Sequence, residues 1–164
     1  FIHRNLRADS VFVYSNGNAK LACFARARRL KPNADDQSCT IPINLPMPDD
    51  SLRWSSPQVM SEGEYSKASD MWAFGVMIWE MFTLIDKEID ESDEEIIPYH
   101  QLSSKEQILS YLRKQKRLGK PNNCPDWLYE MMLRCWENNT QDRVKVQDIV
   151  QCIHNKIPRN DHTS

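Results

Sequence analysis

The chain predicts a mainly α fold with one short β-hairpin near its start. Two patterns carry that expectation. Val11-Phe12-Val13 and Lys20-Leu21-Ala22 are short β-prone runs, and Ser15-Asn16-Gly17-Asn18 between them contains the Asn-Gly pair of a tight hairpin turn. From Ser66 onward, apolar residues recur at helical spacing instead. The 164 residues suffice for one domain with a real core.

After the hairpin, residues 26–53 read as loop. Arg26, Arg28, Arg29 and Lys31 make its start basic, and Pro32, Pro42, Pro46 and Pro48 exclude a long helix. Ser66 is placed to cap a helix that ends near Phe82. Met71–Phe82 is apolar almost all round, which predicts a buried central helix. An acidic loop insertion is expected over 84–98, where Asp86, Glu88, Asp90, Glu91, Asp93, Glu94 and Glu95 face only Lys87.

Three more helices are expected. Ser103 with Glu106 makes a capping box for the first, and Gly119 suits the end of that region. Pro125 suits the first turn of the second, whose face is Leu128, Met131, Met132 and Cys135. Val146, Ile149, Val150, Ile153 and Ile157 form the face of the last, and 158–164 is a polar, frayed tail.

Composition narrows the function. Lys plus Arg is 21 and Asp plus Glu is 23, a net charge of -2, which argues against a general nucleic-acid partner. Gly17, Gly63, Gly75 and Gly119 lie too far apart to build a Gly-rich phosphate loop. Five cysteines, an odd number without zinc-site spacing, fit reduced thiols better than a disulfide framework. No apolar run approaches the roughly 20 residues that cross a bilayer. Phe1-Ile2-His3-Arg4-Asn5 has neither a start Met nor the look of a signal peptide, so a longer parent chain is expected.

Five short motifs then fall in order. His3-Arg4-Asn5-Leu6-Arg7-Ala8-Asp9-Ser10 precedes Val11-Phe12-Val13, Cys23-Phe24-Ala25 follows the hairpin, Ser56-Pro57-Gln58 comes later, and Ser69-Asp70-Met71-Trp72-Ala73-Phe74-Gly75-Val76 opens the apolar helix. This series resembles the C-terminal lobe of a protein kinase, from catalytic loop through the D-F-G and A-P-E positions to the central helix. Leu52-Arg53-Trp54 and Arg134-Cys135-Trp136 are similar to the tyrosine-kinase branch. Within it, Ala68–Val76, Pro98–Ser103 with Glu106-Gln107, and Cys124-Pro125-Asp126 resemble the discoidin domain receptor group, with the off-track and colon-carcinoma kinase type as a rival. The resemblance implies a kinase-like C-lobe over 1–157, with a catalytic-loop and D-F-G region (1–25), an activation segment (26–58) and a helical subdomain (59–157). The N-lobe would lie before Phe1.

The departures fall on the chemical positions. Phosphoryl transfer uses a carboxylate toward the substrate hydroxyl and oxygen ligands for Mg²⁺. Asn5 stands at the carboxylate position, Ser10 at one Mg²⁺-ligand position and Cys23 at the other. An amide accepts no proton near neutral pH, and a thiol is a poor ligand for a hard ion. Asp9, four residues along the loop, reads as a solvated carboxylate and not as a replacement base. The activation segment has no tyrosine, only Ser38, Thr40, Ser51, Ser55 and Ser56 as hydroxyls.

The scaffold positions remain. The resemblance assigns His3, Phe24 and Asp70 to a stack joining catalytic loop and central helix, with Asp70 accepting N–H bonds from the His3–Arg4 turn. It assigns Arg4 to phosphate binding and Gln58 with Arg143 to a pair that is ordinarily Glu–Arg. The expectation is a pseudokinase-like tyrosine kinase domain fragment acting as a signalling scaffold or allosteric partner. The alternatives are an atypical ATP-binding tyrosine kinase with weak transfer, or a truncated fragment without function. No cofactor is expected from these residues; ATP and Mg²⁺ would come only with the N-lobe. The partners expected are proteins, an active kinase or a parent receptor dimer, on a surface that includes Leu112 and Trp127. The location implied is the cytoplasmic side of a membrane, tethered through a receptor. Tyr99, in a segment like an inhibitory phosphotyrosine motif, is read as packing, and Asn138-Asn139-Thr140 as an unused glycosylation sequon.

Overall fold

The computed structural model describes residues 1–29, 41–42, 49–90 and 96–157. The hairpin forms as an antiparallel pair, β1 (Val11–Val13) and β2 (Ala19–Leu21), with Val11 opposite Leu21. Gly17 takes the left-handed conformation in its turn, at φ +79°, where a side chain would be strained. A single turn of 3₁₀ helix, Ala8–Ser10, leads into β1, and another, Phe24–Arg26, follows β2.

The segment expected to be loop holds more order than its prolines suggested. A two-residue strand β3 (Ile41–Pro42) pairs with β4 (Glu64–Tyr65), and Asp49–Trp54 is a 3₁₀ helix. The rest of 30–48 lies outside the described residues. Arg53 anchors the 3₁₀ helix, donating to the carbonyls of Pro98, Tyr99 and Leu102 at 2.7 to 2.9 Å. A short helix α1 (Pro57–Glu62), absent from the sequence expectation, carries its signals plainly: Ser56 caps it, Pro57 opens it, and Gly63 closes it at φ +70°.

The central helix α2 (Lys67–Asp90) starts as expected, with Ser66 and Ser69 exchanging capping bonds of 3.1 and 2.9 Å. It does not stop near Phe82 but runs into the acidic segment. The Asp86 carboxylate accepts from the N–H groups of Asn122 and Asn123 at 2.7 and 3.1 Å, which ties the distal turn to a neighbouring loop. Straight-chain acids such as Glu88 also suit a helix. The expected insertion over 84–98 is therefore helical through Asp90, and 91–95 lie outside the described residues.

Three further helices follow: α3 (Lys105–Arg113), α4 (Asp126–Cys135) and α5 (Val146–Lys156). The α3 cap sits one residue later than expected. Ser104 accepts from Gln107 N–H at 3.3 Å, and the Gln107 side chain accepts from Ser103 N–H at 2.8 Å. Gly119 does not end α3; Gln115 takes the left-handed turn at φ +57°, and Arg117 satisfies the Leu112 carbonyl at 3.0 Å. Pro125 is the cap of α4 and not its first turn, while Leu128, Met131, Met132 and Cys135 are buried as a set. On α5 the buried face is narrower than the apolar pattern. Ile149 is buried and Cys152 and Ile153 half-buried, but Val146, Val150 and Ile157 are 45 to 57% exposed. The residues 158–164 lie outside the described set.

The core gathers on both sides of α2. Trp72 and Val76 are fully buried and share a cluster with Ile108 and Leu112 of α3 and Met132 and Cys135 of α4. The guanidiniums of Arg117 and Arg143 lie 5.2 and 5.0 Å from the Trp72 ring, within cation–π range. Among the described residues, no helix is long and apolar enough to cross a membrane.

Gly75 permits the close approach of α2 to the end of α4. A Cβ there would lie 2.7 Å from Trp136 Nε1 and 2.8 Å from Cys135 Cβ, inside van der Waals contact. Gly75→Ala should therefore destabilise the chain by about 1–3 kcal/mol through overpacking, despite alanine's better helix propensity. Urea unfolding of the two proteins checks the sign, because propensity alone predicts stabilisation.

Candidate functional site

The His3–Arg4 turn is held from beneath by α2. Asp70 sits in the first turn of that helix, and its two oxygens accept from His3 N–H at 2.6 Å and Arg4 N–H at 2.9 Å. Arg4 has φ +67°, an uncommon conformation for a residue with a Cβ, so the turn needs such a clamp. Burial pushes the Asp70 carboxyl above its ordinary value, against the lowering effect of those two N–H bonds.

The His3 ring bridges to the hairpin. Its Nε2 lies 2.8 Å from the Ala22 carbonyl, which only accepts, so Nε2 carries the proton. The ring meets Phe24 edge-on, with centroids 4.8 Å apart. His3, Phe24 and Asp70 thus lie in one connected set. Ile2 and Arg28 exchange backbone bonds of 2.9 and 3.0 Å, which fixes the segment after Phe24 beside the loop.

The chemical positions have a different geometry. Asn5 is half-buried, and its Oδ1 accepts from Arg26 Nη1 at 3.1 Å. Ser10 is fully buried; its hydroxyl donates to the Arg7 carbonyl at 2.6 Å and accepts from Arg7 N–H at 3.1 Å. Cys23 is an exposed thiol at φ +61°. Asp9 is exposed and pairs with Arg7 at 3.4 Å. Arg4 stacks on the Tyr65 ring at 4.1 Å and donates to the Arg26 carbonyl at 3.2 Å. Among the described residues, no group of three or more His, Cys, Asp or Glu side chains is arranged to hold a metal ion.

Sequence reasoning missed Glu80. Its Oε2 accepts from Trp54 Nε1 at 2.7 Å and Ala8 N–H at 3.0 Å, so one carboxylate joins α2, the 3₁₀ helix that ends at Trp54 and the loop at Ala8. Arg7 stacks on the same Trp54 at 4.0 Å. The signal was present: a single acid inside the apolar run Met71–Phe82 is costly to bury without partners. Burial raises the Glu80 carboxyl above its ordinary value, outweighing its hydrogen bonds and nearby Arg7.

Gln58 and Arg143 lie apart from the loop and do meet. Arg143 Nη2 donates to Gln58 Oε1 at 2.6 Å, and its Nη1 and Nε donate to the carbonyls of Ala68 and Glu137 at 3.0 and 2.8 Å. Desolvation pushes the Arg143 guanidinium down to about 10, which leaves it charged at neutral pH. Two other expectations meet the burial pattern. Leu112 is fully buried in the core, so it is no anchor on a partner surface; only half-buried Trp127 is accessible there. Tyr99 is fully buried as well, which agrees with packing and not with docking.

Residues 1–153 match the family model described as protein tyrosine and serine/threonine kinase. The chain belongs to the protein kinase family. Among its relatives, ephrin type-B receptor 4a of Danio rerio is 28% identical over 160 residues, covering 98% of this chain and 15% of the receptor. Ephrin type-A receptor 6 of Rattus norvegicus is 30% identical over 160 residues, covering 98% of this chain and 14% of the receptor. Tyrosine-protein kinase Shark of Drosophila melanogaster is 33% identical over 143 residues, covering 87% of this chain and 14% of that protein. The chain therefore spans 14 to 15% of the length of these relatives. Tyrosine-kinase relatives accord with the branch suggested by Leu52-Arg53-Trp54.

Two outcomes follow for this kinase-family site. Asp70→Ala should cost about 3 kcal/mol in a urea titration, because two N–H donors lose their acceptor. Glu80→Gln should change the pH dependence. The folded-state Glu80 value is raised, so its contribution is most favourable below the unfolded value near about 4.3. That contribution fades as pH rises through the folded value. Wild-type stability relative to Glu80→Gln should therefore fall on going upward from about pH 4, read from paired unfolding curves.

Proposed function

We propose that this chain is a pseudokinase-like domain that signals by binding proteins and not by transferring phosphate. The observation that carries this reading is the engagement of Ser10. A residue at a Mg²⁺-ligand position needs an outward oxygen, and this hydroxyl is buried and bonded in both directions to Arg7. Cys23 adds a thiol at the other ligand position, so neither residue fits a hard divalent ion. Asn5 replaces the proton-accepting carboxylate with an amide, and a positioned general base contributes about 10²–10⁴ in rate.

The scaffold supports a binding role. Asp70, His3 and Glu80 keep the loop anchored, so a shaped surface persists where the chemical groups have changed. The subfamily reading is the discoidin domain receptor group, supported by Ala68–Val76 and Cys124-Pro125-Asp126. Receptors among the relatives support a place on the cytoplasmic side of a membrane, with an active kinase or a receptor dimer as partner.

The test uses the full-length protein with ATP, Mg²⁺ and a tyrosyl peptide, and reads phosphotyrosine by mass spectrometry. No phosphotyrosine above the ATP-free control is expected. Mg²⁺-dependent product that disappears on Cys23→Ala would overturn the reading in favour of a weak kinase.

A further inference from the structure

The chain has five tyrosines, and none falls in the segment 26–58. Four of them are held by the fold. Tyr65 is buried beneath Arg4, and Tyr99 is fully buried. Tyr111 and Tyr129 are half-buried, and their hydroxyls donate to the carbonyls of Arg117 and Leu118 at 3.1 and 2.8 Å. Tyr14 differs. It is 51% exposed and opens the hairpin turn, where its carbonyl accepts from Gly17 N–H at 2.9 Å. Its own N–H donates to the Asn18 carbonyl at 2.9 Å, so the backbone is tied and the ring stays at the surface. Lys20 pairs with Phe12 across the hairpin and brings its Nζ to 5.0 Å from the Tyr14 ring centroid. It is the only charged residue over 10–22. Both strands of the hairpin are largely exposed. A two-stranded hairpin is marginally stable by itself, so its turn end opens at little cost.

We infer that Tyr14 is a phosphorylation site, modified in trans by an active tyrosine kinase that binds this chain. The inference rests on the proposed reading in which the partner is an active kinase. In the step, a bond forms between Tyr14 Oη and the γ-phosphorus of ATP held by that kinase. The bond from the γ-phosphorus to the departing ADP breaks, and the phenolic proton passes to the other kinase's catalytic carboxylate. Such transfer needs the phenol to leave its own surface and enter a second enzyme's cleft. Tyr14 gives up only its contact with Lys20 to do so, whereas Tyr65 and Tyr99 would have to leave the core. Tyr111 and Tyr129 would each lose a hydrogen bond. The phosphate gained carries about -1.5 to -2 charges. It meets the Lys20 ammonium, and no carboxylate lies within 10–22 to repel it.

The test incubates the full-length protein with tyrosine-protein kinase Shark, ATP and Mg²⁺, and follows phosphate at each of these five tyrosines by mass spectrometry. Tyr14 should gain phosphate at least about tenfold faster than Tyr65, Tyr99, Tyr111 or Tyr129. Tyr14→Phe should remove most of the label carried by the five. A linear peptide spanning 8–20 serves as the unfolded control. Labelling of that peptide but not of Tyr14 in the protein would overturn the inference, because the fold would then hide the residue. So would no labelling of either, equal rates at the five tyrosines, or label on the other four undiminished in Tyr14→Phe and equal to the wild-type total. Product on the tyrosyl peptide in the transfer assay, with Tyr14 still labelled by the added kinase, would defeat only the non-catalytic reading. No product there and no label on Tyr14 would defeat only this inference.

Discussion

The Asp70 carboxylate holds the His3–Arg4 turn by two N–H bonds, and most of the site's geometry hangs from that clamp. A turn with Arg4 at positive φ is unfavourable alone. Fixing it to the first turn of a buried helix lets the core bear that strain. His3 then reaches Ala22 and Phe24, and the hairpin is registered against the loop. Through Ile2 and Arg28 the following segment is registered too.

Glu80 performs a second, parallel task nearly three turns further along the same helix. It fixes Ala8 and Trp54, so the far end of the loop and the segment before α1 share one anchor. Both carboxylates lie under a raised pKa, because burial costs more than the nearby donors return. The fold thus accepts an electrostatic cost to position backbone. That loop geometry stands beside an amide at Asn5, a buried hydroxyl at Ser10 and an exposed thiol at Cys23. An anchored loop beside those three groups is the physical basis of the proposed binding role.

The sequence made the core of the fold legible where apolar spacing was strong. Trp72 and Val76, and the set from Leu128 to Cys135, are buried as their pattern required. It was less informative where the end of a helix depends on remote partners. The α2 helix outlasts Phe82 with help from Asn122 and Asn123, more than thirty residues away in sequence. The Val146 and Val150 side chains fit an apolar face by spacing, yet the neighbouring elements cover only the Ile149 side of it. The α1 helix was missed although Ser56, Pro57 and Gly63 signal it, because six residues are too few to show a helical apolar period.

By itself the sequence determined which chemical groups stand at each motif position, because residue identity needs no coordinates: an amide at 5, a hydroxyl at 10, a thiol at 23. It also determined the helical character of the chain after Ser66. Only the tertiary structure decided what those groups do with their hydrogen-bonding capacity. Ser10 closes on Arg7, Asn5 takes a bond from Arg26, and Glu80 becomes a joint of three segments. Hydrogen bonds are short-ranged and directional, so partners 3, 21 and 26 residues apart are settled by the packing that brings them within reach.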